Sequence, residues 1–267
     1  MLRVEFNDFL INPVFFIEIA RIHLGISKFV SLKPFSHDSF EADFCRKNGF
    51  KALFFETKVS RILGDLEISP IRFFVVTRDE RFLKAISRIE QKILSGAISF
   101  QKGRKKLIKL EGKLFGYPEC CVEAYFRSKC ELPLETKLII ECFERGIFED
   151  LLAALKKSET CFFPQFFTMN FYPCEVGCRR AKRIGFKLAK FLGEFEHAFE
   201  FRTMLNALYL LRTAYKSTFY NGKLSKIAKE FFRHQDVELL EIMRAIEKVD
   251  FEDFSNSFIR RALQGFP

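Results

Sequence analysis

Two short runs rich in β-branched and aromatic residues, FKALFFE (50–56) and IRFFVVT (71–77), stand in a chain whose other apolar residues mostly recur at helical spacing. This contrast constrains the fold more than any other feature. Such runs predict strands, which need partners, whereas from about residue 101 onward the pattern is helical throughout. Between the two runs, KVSRILGDLEI is read as a further strand with Gly64-Asp65 as a turn. Upstream, PVFFIEIARIHLGISKFV (13–30) carries apolar residues at 15, 16, 19, 22, 26, 29 and 30, the spacing of a helix. TRDE (77–80) fits a capping box in which Thr77 and Glu80 cap reciprocally, with a helix over 79–94 ending near Ser95-Gly96.

Further helices are expected over the basic amphipathic segment that runs into Gly116, and near 118–130, 135–156, 174–192, 197–216, 223–233, 236–248 and 251–263. The Phe-rich stretch CFFPQFFTMNFYP (161–173) interrupts them as an irregular connection. The expected class is α+β: a small mixed α/β region (1–100) packed on a larger, mostly helical region (101–267). No Gly/Ser-rich or Pro-rich linker separates the two.

Phenylalanine is abundant, 36 residues with no Trp, and a side chain with so much apolar surface and no polar handle belongs mostly in the core. The net charge of +10 favours anionic partners, whether nucleic acid, a phosphorylated ligand or a membrane surface. With Glu5 and Asp8 among its first residues the chain is not expected to open on a secretory signal, and no run approaches the ~20 apolar residues that span a bilayer. A cytoplasmic protein with reduced thiols is expected, disulfide-rich proteins of hyperthermophiles being the exception.

Eight cysteines are present, and four stand apart. GYPECCVEAYF (116–126) sets Cys120 and Cys121 side by side; FYPCEVGC (171–178) repeats the Tyr-Pro and adds Cys174 and Cys178. Both segments read as helix N-termini, where free N–H groups and the positive dipole end favour a thiolate. Cys174 and Cys178, at i and i+4, would share a helical face. Adjacent Cα atoms lie ~3.8 Å apart, shorter than the usual disulfide span, so Cys120 and Cys121 should seek partners elsewhere. The quartet could hold a four-thiolate zinc or an iron–sulfur cluster, act as redox thiols, or form disulfides. Helical neighbours diverge by ~100°, which suits a bulky cluster or two separate partners better than one compact ion. A purely structural role is equally open, because Ala181, Gly185, Leu188 and Leu192 continue the line of Cys178 down one apolar face. Cys130, Cys142 and Cys161 look like core residues.

The Gly-Tyr-Pro-x-Cys-Cys stretch followed by Pro-Cys-x-x-x-Cys resembles an uncharacterised archaeal family known as domain of unknown function 483, over about 105–190. The resemblance implies that the four cysteines belong together and fits an archaeal source. It implies no activity. It also implies a polar or histidine residue near the Pro-Cys, where this chain has Tyr172.

Arg179, Arg180, Arg183 and Lys187 follow the second cysteine segment directly, and Lys105 and Lys106 precede the first. They are candidate anion-binding residues, for a phosphate-bearing ligand or for RNA held by its backbone, against the plainer reading of a solvated helix face. No dinucleotide or Walker-type glycine motif is present. The four histidines lack metal-ligand spacing, and no catalytic set can be assembled from the sequence.

Overall fold

The computed structural model describes residues 12–241 apart from 63–64, 68–69, 129–131, 158, 170, 194–195 and 239. Cys130, Gly64 of the expected turn, the expected helix 251–263 and most of that at 236–248 lie outside the described residues. The protein is α+β, as expected, and its described residues divide into two compact units: those within 17–129, and those from 130 onward together with 12–16.

The first unit is built on the two strand-type runs. β2 (Lys51–Thr57) and β5 (Ile71–Thr77) pair antiparallel, with Phe54 opposite Phe74, and β1 (Phe29–Leu32) completes a sheet of order β1-β5-β2. β3 (Ser60–Ile62) and β4 (Asp65–Glu67) form a separate antiparallel pair in the segment between. Period-2 alternation sends Leu53 and Phe55 toward the core and leaves Phe54 half exposed, its ring 5.2 Å from that of Phe74 with the Arg72 guanidinium over it. The core joins Phe29 and Val75 of the sheet to Leu83, Ile86 and Ile93 of α3 (Arg81–Leu94) and Leu107 and Leu114 of α4 (Phe100–Leu114).

Two local expectations fail in this unit. The helix expected across 13–30 stops early: α1 spans Pro13–His23, Gly25 turns left-handed at φ 67°, and Phe29 begins β1. Phe29 and Val30 satisfy helical spacing, but pairing with Thr77 and Val76 decides their state. The capping box does not form either. Thr77 is still in β5, and its hydroxyl donates to the Lys28 carbonyl while accepting the Asp79 N–H. Glu80 pairs with Lys51 instead, and the Asp79 carboxylate accepts the Arg81 N–H at the helix start. Preceding it in chain order, α2 (Phe40–Lys47) is capped by Ser39.

The second unit centres on α9 (Glu196–Ser217), whose Phe199, Met204, Leu205, Leu208 and Leu211 are essentially inaccessible. The single helix expected over 135–156 is two, α6 (Leu134–Glu144) and α7 (Ile147–Lys156), because Gly146 adopts φ 68° between them. α10 (Lys223–Arg233) follows α9. The Phe-rich connection is irregular apart from a 3-10 turn at Pro164–Phe166, yet it is buried. Two of its backbone groups are satisfied by α9: Asn206 donates to the Phe166 carbonyl at 2.6 Å, and the Thr203 hydroxyl accepts the Phe163 N–H. Among the described residues no helix is long and apolar enough to cross a membrane.

α8 (Arg179–Leu192) lies on this connection through Gly185, where an added Cβ would fall 2.0 Å from the Pro164 carbonyl oxygen. Since that neighbour is backbone, relief requires moving the helix. Gly185→Ala should therefore destabilise the protein by about 2 kcal/mol or more, read as a lowered urea midpoint at unchanged slope.

Candidate metal centre

The first cysteine segment owes its shape to Gly116 and Pro118. Gly116 closes α4 at φ 78°, and a Cβ there would meet the Ile26 carbonyl oxygen at 2.0 Å. Only glycine suits both the conformation and the space. Tyr117 then stacks on Phe115, with ring centroids 5.6 Å apart, and burial pushes its hydroxyl pKa up to about 12. Pro118, extended at φ −56° and ψ 138°, is the N-cap of α5 (Glu119–Arg127), and its carbonyl accepts the N–H groups of Cys121 and Val122. Cys120 and Cys121 thus lie in the first turn of α5. Cys121 is buried and Cys120 half-buried.

The second segment differs from expectation. Residues 174–177 are not helical: Cys178 donates its N–H to the Glu175 carbonyl, closing a turn, and is itself the N-cap of α8. The i,i+4 face assigned to Cys174 and Cys178 does not exist, and the two are brought together by a turn. Two carboxylates of α6 hold this segment. Glu141 accepts the Val176 N–H at 2.8 Å and pairs with Arg145 at 2.7 Å. Glu135 accepts the Tyr172 hydroxyl at 3.2 Å, and burial raises the pKa of both groups. Neither glutamate is marked by the sequence, because each lies more than thirty residues from the loop it holds and no local signal connects them.

The sulfurs of Cys120, Cys121, Cys174 and Cys178 all lie within 4.8 Å of one another. The expected divergence of the neighbouring pair does not occur, since the Cys120 and Cys121 sulfurs are 3.9 Å apart. None of the seven described cysteines is in a disulfide. For comparison, four thiolates held tetrahedrally at ~2.3 Å from one zinc stand about 3.8 Å apart. The cluster is therefore close to the size of a single-ion site. Cys178 is buried as the first member of the face formed by Ala181, Gly185, Leu188 and Leu192, so packing and clustering coexist in this residue.

The carboxylates flanking the cysteines have other surroundings. Glu119 and Glu175 are exposed, and Glu123 pairs with Lys109, which holds its carboxyl below the usual range. Arg179, Arg180, Arg183 and Lys187 are exposed on α8. Lys105 and Lys106 are exposed on α4, where Lys105 lies over the Phe126 ring. His197 and His234 lie near Glu200 and Glu230, and the His37 carbonyl accepts a bond from Arg46.

The remaining described cysteines are chemically quieter. Burial, reinforced by Glu41, pushes the Cys45 thiol up to about 12; burial likewise raises Cys142, and it raises Cys161 to about 11. Below these values the thiols are protonated and poor nucleophiles. Iodoacetamide at pH 8 in a chelating buffer should thus label the half-buried Cys120 and Cys174 while Cys45 and Cys142 stay unmodified until denaturant is added. Labelling of Cys161 should climb as pH rises toward 11. Peptide mass spectrometry reads all of these.

No curated protein and no solved structure matches the chain. One family model does, that of "protein of unknown function (DUF483)", over residues 56–206, a span that contains all four clustered cysteines. As that match covers more than half of its length, the chain belongs to the DUF483 family.

Proposed function

We propose that the protein binds one metal ion through Cys120, Cys121, Cys174 and Cys178, with zinc as the best-fitting occupant, and that the ion serves to fix structure. The observation that carries this reading is the mutual approach of four thiol sulfurs to within 4.8 Å. An all-thiolate, four-ligand set suits a tetrahedral site with no position left open for substrate, the arrangement of structural zinc. An iron–sulfur cluster attaches its cysteines to different irons and so spreads the sulfurs farther than a single ion does. The compactness of the quartet therefore favours one ion. Four thiolates around a divalent cation leave net negative charge. Cys120 and Cys121 in the first turn of α5, with Cys178 at the N-cap of α8, meet that charge with the positive ends of two helix dipoles.

Metal analysis of protein purified anaerobically should give one zinc per chain without acid-labile sulfide. Visible absorbance near ~400 nm with stoichiometric iron and sulfide would replace the single ion by a cluster, and absence of all three would sink the metal reading. Cys121→Ser and Cys178→Ser should each lose the ion. A strong chelator should lower the thermal midpoint of the parent protein and leave those variants unchanged, since metal held by the folded state alone contributes to its stability.

A second prediction isolates the support of the loop. Glu141→Ala removes no sulfur but releases the Val176 N–H. Outer groups that orient ligands are worth 10–100-fold in affinity, so zinc should bind at least about tenfold more weakly, measured by competition with a chromogenic chelator.

A further inference from the structure

α8 presents a second feature that the metal reading does not use. Its fourteen residues, RRAKRIGFKLAKFL, include six cations and no carboxylate. The apolar stripe Ala181, Gly185, Leu188, Ala189 and Leu192 is buried, so the helix's packing requirement is already met on that side. The opposite face is exposed. Arg179, Arg183, Phe186 and Lys190 fall at i, i+4, i+7 and i+11, one line along that face, with Arg180 and Lys187 beside it. Phe186 is 54% exposed in the middle of this line, although its ring edge touches Phe162.

Phe186 thus sets an exposed aromatic ring among cations, on a face that the packing of the buried stripe does not use. The line from Arg179 to Lys190 rises about 16 Å along the axis at ~1.5 Å per residue, longer than any single phosphate group and suited to an extended polyanion. An anionic membrane would also attract the cations. Insertion, however, needs a continuous apolar face, and on α8 that face is turned inward. Cations that track a backbone, with an aromatic ring set among them, match the recognition of single-stranded nucleic acid, in which phosphates supply affinity and an unpaired base stacks on the ring.

We infer that the exposed face of α8 binds single-stranded nucleic acid, with Arg179, Arg183 and Lys190 along the phosphates and Phe186 stacking on a base. This goes beyond the metal reading and does not depend on it. The test is fluorescence anisotropy of the intact, metal-analysed protein with a labelled 12-nucleotide oligouridylate across a salt series. Binding should weaken steeply with salt. The triple variant Arg179→Ala, Arg183→Ala, Lys190→Ala should flatten the log–log slope by about 2, at ~0.7 for each phosphate no longer neutralised. Phe186→Leu, which keeps an apolar side chain against Phe162, should weaken binding about tenfold with the slope unchanged, and should not alter binding to a duplex of the same length. Metal content measured on each variant separates loss of the ion from loss of this surface.

Several outcomes would overturn the inference. One is no salt-sensitive binding of the oligouridylate; another is an unchanged slope in the triple variant. Parental affinity in Phe186→Leu would do the same, as would binding to vesicles of anionic lipid with no binding to the oligonucleotide.

Discussion

Four sulfur atoms within 4.8 Å of one another constrain the backbone on either side of each, and much of the surrounding structure meets that constraint. Gly116 turns the chain where a side chain would strike the Ile26 carbonyl, and Pro118 launches α5 so that two consecutive cysteines fall in its first turn. The other two are set by a different device, a turn closed from Cys178 to Glu175 and tied by Glu141 through the Val176 N–H.

The same matching of polar groups recurs in the Phe-rich connection. A buried irregular segment would normally strand peptide groups away from water, at a cost of about 1–3 kcal/mol each. Here Thr203 and Asn206, buried polar residues of α9, supply partners for two of those groups. Gly185 then lets α8 approach the Pro164 backbone closely. One helix therefore has a buried side defined by glycine and alanine, an N-cap that is a clustered cysteine, and an outward face of cations around Phe186. Its buried stripe, its N-cap and its outward face lie on different sides and ends of the helix.

Much of this was legible in the residues. Richness in β-branched and aromatic residues over 50–56 and 71–77 marked the strands, and Ser95-Gly96 and Gly116 marked helix ends, because those signals are local: the composition of a short run, a glycine able to reach positive φ. The four cysteines were grouped by their repeated Tyr-Pro setting, and their sulfurs lie within 4.8 Å of one another. What failed was wherever a local pattern had two solutions. Phe29 and Val30 fit a helix until β5 claimed them; Thr77 fit a cap until the Lys28 carbonyl took its hydroxyl. The run 135–156 kept its helical period straight through Gly146, where the backbone turns.

By itself, then, the sequence determined the α+β class, the approximate extent of α3, α4, α5, α9 and α10, the membership of the cysteine group and the basic character of α8, since each depends on composition and spacing within a few residues. Only the tertiary structure decided that Cys174 and Cys178 meet through a turn rather than along a helix, that Cys120 and Cys121 converge to 3.9 Å, and that Glu135 and Glu141 hold the loop. The physical reason is the same in each case. These are matters of distance between atoms whose residues are adjacent or far apart in the chain, and side-chain direction and long-range hydrogen bonds are fixed by packing, on which local periodicity carries no information.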